Sequence, residues 1–166
     1  MPKKPIKILA INPGTKYLGI AVFHDGDLRD WSIKVMAGKW SQGKLIKAQA
    51  IITELLFQYR PDAIVLKSLN PFRRSGNLER LVGEIQSISG KKGITIHEYS
   101  IEDLKRFYSP EERINKRQLA ELVAAEYPAL INEFDRETNH KNEYFGRMFE
   151  AVALGALCFY SLDKRI

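Results

Sequence analysis

The feature that most limits what this chain can fold into lies near its start, where two apolar runs are joined by a turn. Residues 6–11 and 18–24 are rich in Ile, Leu and Val, and between them comes Asn12-Pro13-Gly14-Thr15. Both runs read as strands. Asp25-Gly26-Asp27 is a hairpin signal, and Leu28 to Val35 supplies a third strand, so the spacing predicts an antiparallel meander. A meander of this kind needs helices or a second sheet to cover it.

The following residues provide that cover. Leu45, Ala48, Ile51, Ile52, Leu55 and Leu56 recur at helical spacing, which predicts an amphipathic helix over 42–59. Arg60-Pro61-Asp62 ends it, because proline cannot continue a helix. Ala63-Ile64-Val65-Leu66 is short and wholly apolar, as expected of a central strand covered on both faces. Asn77 is placed to cap a helix to about Ser89, which Gly90 to Gly93 stops. Ile94 to Glu98 reads as a strand, followed by helices at 101–107, 115–126 and 142–162. In the last of these, Ala151, Ala153, Gly155 and Ala156 are small enough to let it lie close against a sheet. Three strands, helix, strand, helix, strand and then helices give an α/β sandwich with a mixed sheet.

Composition narrows the class. A length of 166 residues predicts one domain, 1–166, with a real core. No apolar run reaches the roughly 20 residues that cross a bilayer. Met1-Pro2-Lys3-Lys4-Pro5 runs into the first strand without a signal-type segment, so a cytoplasmic location is expected. The one cysteine, Cys158, excludes an internal disulfide and reads as a buried hydrophobe. A net charge of +6 makes a polyanion a sensible partner.

Several strings, in order along almost the whole chain, resemble the RuvC-type Holliday junction resolvases of the ribonuclease H-like superfamily. Ile8-Leu9-Ala10-Ile11-Asn12-Pro13-Gly14-Thr15 looks like that family's opening strand and D-P-G-[ST] turn. Arg60-Pro61-Asp62-Ala63-Ile64-Val65-Leu66-Lys67 is similar to its P-D-x-x-x-[IV]-E strand, and Asn77 to Ile85 to the helix after it. Glu98-Tyr99-Ser100 with Leu104-Lys105, and later Asn115-Lys116-Arg117-Gln118-Leu119, resemble its E-Y-x-P-x-x-[VL]-K segment and the next helix start. Arg147-Met148-Phe149-Glu150-Ala151-Val152-Ala153 stands where the family has [DH]-x-x-D-A-[LV]-A. The resemblance implies a ribonuclease H-like three-layer sandwich, with a five-stranded mixed sheet and helices on both faces.

It also implies a site of four metal-binding residues at Asn12, Lys67, Arg147 and Glu150. In the family, two magnesium ions there activate water and steady the leaving oxygen. Here one amide, one lysine, one arginine and one glutamate give a formal charge of +1 at the four positions. Magnesium asks for hard anionic oxygens, and Glu150 is the one acidic ligand position kept. One like charge at about 4 Å costs roughly 4 kcal/mol at an effective dielectric near 20. No metal cofactor is therefore expected, with Mg2+ or Mn2+ needed only if a nuclease survives through rearranged ligands. Glu143 shares a helical face with Glu150, and Asp62 precedes its strand, but one new acid cannot replace three ligands.

Each substituted residue also has a plainer reading. Asn12 before Pro-Gly suits a turn, its side chain bonding the local backbone. Lys67, ending a buried strand, needs an anionic partner or solvent. Arg147 and Glu150 share one helix face. These readings combine into an expected ion-pair cluster of Glu150 with Lys67 and Arg147 where metal would otherwise sit.

Candidate nucleic-acid contacts are Phe72 with Arg73 and Arg74, Lys91 with Lys92, and Arg113 with Lys116 and Arg117. Phe72 resembles the family's region where an aromatic wedges at the junction and could stack on an unpaired base. The family also implies a homodimer, for which Leu78, Leu81, Val82 and Ile85 could serve both core and seam. The favoured expectation is a RuvC-like protein that binds branched or structured DNA and has lost metal-dependent cleavage. An active junction endonuclease and a protein-binding adaptor on the same fold are the alternatives.

Overall fold

The computed structural model describes residues 4–70, 75–140 and 143–164, with only the backbone of 136–140 and 143–145. Its first element is β1, Lys7–Asn12, which pairs antiparallel with β2, Tyr17–His24. β2 pairs in turn with β3, Asp27–Val35. The β2–β3 turn has Asp25 at φ 51° and Gly26 at φ 87°, the two left-handed residues that an Asp-Gly hairpin favours.

Helix α1, Gln42–Tyr59, starts on Ser41, whose hydroxyl accepts from the Lys44 N–H. It ends on Arg60 in left-handed conformation, just before the proline that reading by sequence picks out. β4, Ala63–Lys67, lies parallel to β1, and β5, Thr95–Tyr99, lies parallel to β4. Between them runs α2, Gly76–Lys91, capped by Ser75 rather than by the expected Asn77. The sheet order is β3-β2-β1-β4-β5.

Beyond the sheet come α3, Ile101–Tyr108, and α4, Lys116–Glu126, both opened by capping boxes. A 3-10 turn at Pro128–Leu130 leads to α5, Ile131–His140, and the described chain closes with α6, Glu143–Lys164. Neither the 3-10 turn nor α5 is expected from the sequence. Ile131 and Phe134 are the only large apolar residues in α5, too few to register as a periodic stripe.

Alternation along the central strands divides the core in two. Ile8, Ala10, Ala63 and Val65 face α3, α4 and α6, whereas Leu9, Ile11, Ile64 and Leu66 face α1 and α2. The expected α/β three-layer sandwich is thus the observed one, a five-stranded mixed sheet with helices on both faces. Cys158 is buried in the first of these clusters. No helix among the described residues is long and apolar enough to cross a membrane.

Two glycines set how closely α6 lies on the sheet. A Cβ on Gly19 would stand 2.2 Å from the Arg147 carbonyl oxygen. One on Gly155 would stand 2.0 Å from the Phe23 ring. Helix and strand therefore touch backbone to backbone at Arg147, and that contact positions the site.

Candidate functional site

Three elements converge at one end of the sheet. Ile11 of β1 pairs with Leu66 of β4, so the next residues, Asn12 and Lys67, are neighbours at the carboxyl ends of two parallel strands. Helix α6 crosses beside them and delivers Arg147 and Glu150.

Asn12 is fully buried. Its amide nitrogen donates to the Arg147 carbonyl at 3.2 Å and to Glu150 Oε2 at 3.3 Å. The side chain thus serves α6 and not the local turn, which corrects the turn-former reading. The Asn12 Oδ1 is buried with no hydrogen-bond partner. Turning the amide over would set that oxygen against a carboxylate, so the donor fixes the orientation.

Lys67 Nζ lies 2.6 Å from Glu150 Oε1. Both carboxylate oxygens of Glu150 are therefore held by N–H donors of the chain itself. Lys116, at the start of α4, brings a second ammonium to 4.0 Å from the same oxygen while staying largely exposed. Burial pulls the Lys67 pKa below its ordinary value; attraction to Glu150 opposes this, and repulsion from Lys116 and Arg147 adds to it.

Arg147 points elsewhere. Its Nη1 donates to the Pro13 carbonyl at 3.2 Å, and its guanidinium roofs Gly14, where a Cβ would come within 3.0 Å of Nη1. The expected three-membered ion-pair cluster is thus corrected: the carboxylate takes Lys67 and Lys116, and Arg147 takes a backbone carbonyl. A main-chain acceptor exists at every residue, so nothing in the sequence singles out Pro13.

The donor set does not suit a divalent cation. In place of the hard anionic oxygens that magnesium asks for, this site presents an amide nitrogen, an ammonium and a guanidinium around one carboxylate. Among the described residues, no group of three His, Cys, Asp or Glu side chains could hold a metal. Asp62 sits at the far end of β4, where its carboxylate accepts from the Lys7 N–H. The side chain of Glu143 lies outside the described residues.

Around this centre the candidate contacts divide. Lys116, Arg117 and Arg113 are exposed on the segment that reaches Glu150. Lys91 and Lys92 are exposed too, but the chain enters β5 from them, at the end of the sheet opposite Lys67. Sixteen residues of α2 separate the two ends, about 24 Å of helix. Phe72, Arg73 and Arg74 lie outside the described residues. Two exposed cations that sequence reasoning passes over stand at the site end, Lys16 before β2 and Lys39 after β3, the two loops being joined by Met36 N–H donating to Lys16 O. The β2–β3 pairing is the signal that could have found them. A groove of about 510 Å³ at the opposite end is lined by Lys7, His24, Arg29 and Asp30, with Tyr59 donating its hydroxyl to Asp30.

No protein-family model matches the sequence, and no curated protein matches it. Solved structures do resemble it. The chain is similar to Thermus thermophilus RuvC, with a TM-score of 0.71 at 15% identity over 96% of this chain and 97% of that one. It is similar to the yeast mitochondrial Holliday junction resolvase Ydc2, with a TM-score of 0.63 at 12% identity over 96% and 82%. It is likewise similar to the fowlpox virus Holliday junction resolvase, with a TM-score of 0.59 at 14% identity over 94% and 99%. These likenesses establish a RuvC-type resolvase fold.

Proposed function

We propose that this chain binds branched DNA through a cationic seat on a RuvC-type fold, and that the seat holds phosphate without metal-dependent cleavage. The observation that carries the reading is the contact of Lys67 Nζ with Glu150 Oε1 at 2.6 Å. An internal ammonium neutralises the carboxylate that would otherwise help to bind a metal. Two cations, Lys67 and Lys116, then flank one acid, and the excess charge faces solvent through Lys116.

A backbone phosphate matches that excess. Lys116 is 66% exposed and only loosely associated with Glu150 at 4.0 Å, so it can turn to a phosphate oxygen while Lys67 keeps Glu150 neutralised. Lys16, Lys39, Arg113 and Arg117 extend the positive rim. Similar folds have been solved with such a ligand: T. thermophilus RuvC with Holliday junction substrate, and the fowlpox virus resolvase with substrate Holliday junction DNA. A homodimer would offer two seats to the symmetry of a four-way junction.

The test is a four-way junction offered with and without Mg2+ or Mn2+, across a salt series. Expected is binding that weakens steeply with salt and yields no cleavage product. Cleavage by the unmodified chain would establish the endonuclease alternative instead. Absence of binding would leave the protein-binding adaptor.

A further inference from the structure

The register of β2 against β3 slips by one residue at the end of the sheet remote from Lys67. Val22 pairs with Asp30 and Phe23 with Leu28, so Arg29 is left over as a bulge. Phe23 and Leu28 pack on the α6 side of the sheet, and Val22 on the α1 side. The extra residue therefore turns Arg29 and Asp30 to the same α1 side, where a regular strand would send them to opposite faces. Both line the groove of about 510 Å³ at that end. Lys7 and His24, paired across β1 and β2, line it as well.

Charge in this groove is unbalanced. Asp30 is its one acid, and both carboxylate oxygens are taken: Oδ1 accepts from the Trp31 N–H at 2.9 Å and Oδ2 from the Tyr59 hydroxyl. Arg29 reaches only Asp27, at 3.8 Å, with both side chains mostly in solvent. Among the described residues the Lys7 ammonium has no ion-pair partner. We propose that the groove binds a nucleoside monophosphate, its phosphate held by Lys7 and Arg29 and its base laid against Tyr59 and Val22. The volume lies within the range of small-molecule sites. Two cations without a free acid to compete match the charge of a phosphate monoester. The Tyr59 ring with Val22 and Pro61 supplies apolar surface for the face of a base. The exposed Gln58 amide offers a donor and an acceptor to its edge. A free mononucleotide and the 5′-phosphorylated last nucleotide of a strand present the same chemistry.

The groove and the Lys67–Glu150 pair occupy opposite ends of the sheet, so the outcome here is separate from that of the junction-binding reading. The full chain titrated with adenosine monophosphate should show saturable amide NMR shifts centred on Arg29, Asp30, Gln58 and Tyr59, with Lys67 and Glu150 unmoved. Lys7→Glu and Arg29→Glu should each weaken binding by about tenfold or more, the scale of one lost charge-assisted hydrogen bond. Arg29→Lys should keep most of the affinity, and Lys116→Glu, at the other end, should leave it unchanged. Adenosine, which lacks the phosphate, should bind at least about tenfold more weakly. Every replaced side chain is exposed, so circular dichroism should report an intact fold. A 5′-phosphorylated oligonucleotide that displaces the mononucleotide would identify a strand end as the source; one that does not would identify the free nucleotide. Shifts confined to the Lys67 end, a titration without saturation, adenosine binding as tightly, or an affinity indifferent to Lys7→Glu and Arg29→Glu would each overturn the proposal.

Discussion

Lys67 and Glu150 stand 83 positions apart in the chain, yet their charged groups meet at 2.6 Å, with side chains 19% and 10% exposed. Such a pair contributes little net stability while both members remain, because desolvation offsets attraction. Removing one member is different. Lys67→Met should leave Glu150 with the more distant Lys116 as its nearest cation. The loss should fall at the lower end of the about 3–5 kcal/mol that accompanies a broken buried pair. Lys67→Met combined with Glu150→Leu should recover much of it. Urea unfolding of the three variants checks this.

Restoring acids should restore metal affinity only as a set. The triple variant Asn12→Asp, Lys67→Glu, Arg147→Asp gathers four carboxylates and should be less stable than wild type in the absence of metal. Added Mn2+ should raise its melting temperature through preferential binding to the folded state. The wild type should show no such rise. Thermal melts with and without Mn2+ decide it.

Salt dependence should separate the two ends of the sheet. Lys116→Ala should lower the slope of log affinity against log salt by about one for a four-way junction. Lys91→Ala and Lys92→Ala should leave the slope intact, because they stand at the opposite end from the site. Titrations at several salt concentrations measure both.

Glycine replacements should have opposite signs at different positions. Gly19→Ala meets the Arg147 carbonyl at 2.2 Å, a backbone obstacle, and should cost at least the about 1–3 kcal/mol of an overpacked core. Gly83→Ala, within α2, meets nothing within 4 Å and should gain about 0.5–1 kcal/mol of helix stability. Chemical denaturation reports each.

Tyr59 gives the fold an alkaline limit. Its hydrogen bond to Asp30, helped by burial and the nearby carboxylate charge, pushes its pKa up to about 12. The folded state then keeps a proton that the unfolded chain sheds near 10, so this group's contribution is complete below pH 10 and is lost as pH rises to about 12. Asp30→Asn should bring one phenol ionisation back toward the ordinary value. An ultraviolet phenolate titration checks it.

The layered fold was largely legible because its signals are local. The Asp25-Gly26 turn, the apolar β4 and the Pro61 stop each depend on a few adjacent residues. What escaped depends on contacts made across the chain. Asn12 was readable as a turn residue because its neighbours are Pro13 and Gly14, whereas its amide engages Arg147 and Glu150, at separations of 135 and 138. Lys91 and Lys92 read as part of a basic surface by composition, and only the direction of α2 moves them to the far end. Lys67 needing an acid was inferable from its place after a buried strand; that Lys116 approaches the same acid was not.

Arg147 grips the first turn from both its backbone and its side chain, and Asn12 and Lys67 hold the next acid along the helix. This mutual dependence shapes which mutations the chain can accept in sequence. Asn12→Asp alone replaces a donor with a second acid facing Glu150. Lys67→Glu alone removes that residue's closest cation, and Arg147→Asp alone releases Pro13 from the helix. Each step passes through a poorer protein before any benefit of the complete set could appear. The present arrangement should therefore behave as a local optimum, from which single changes toward acids at these positions lead downhill.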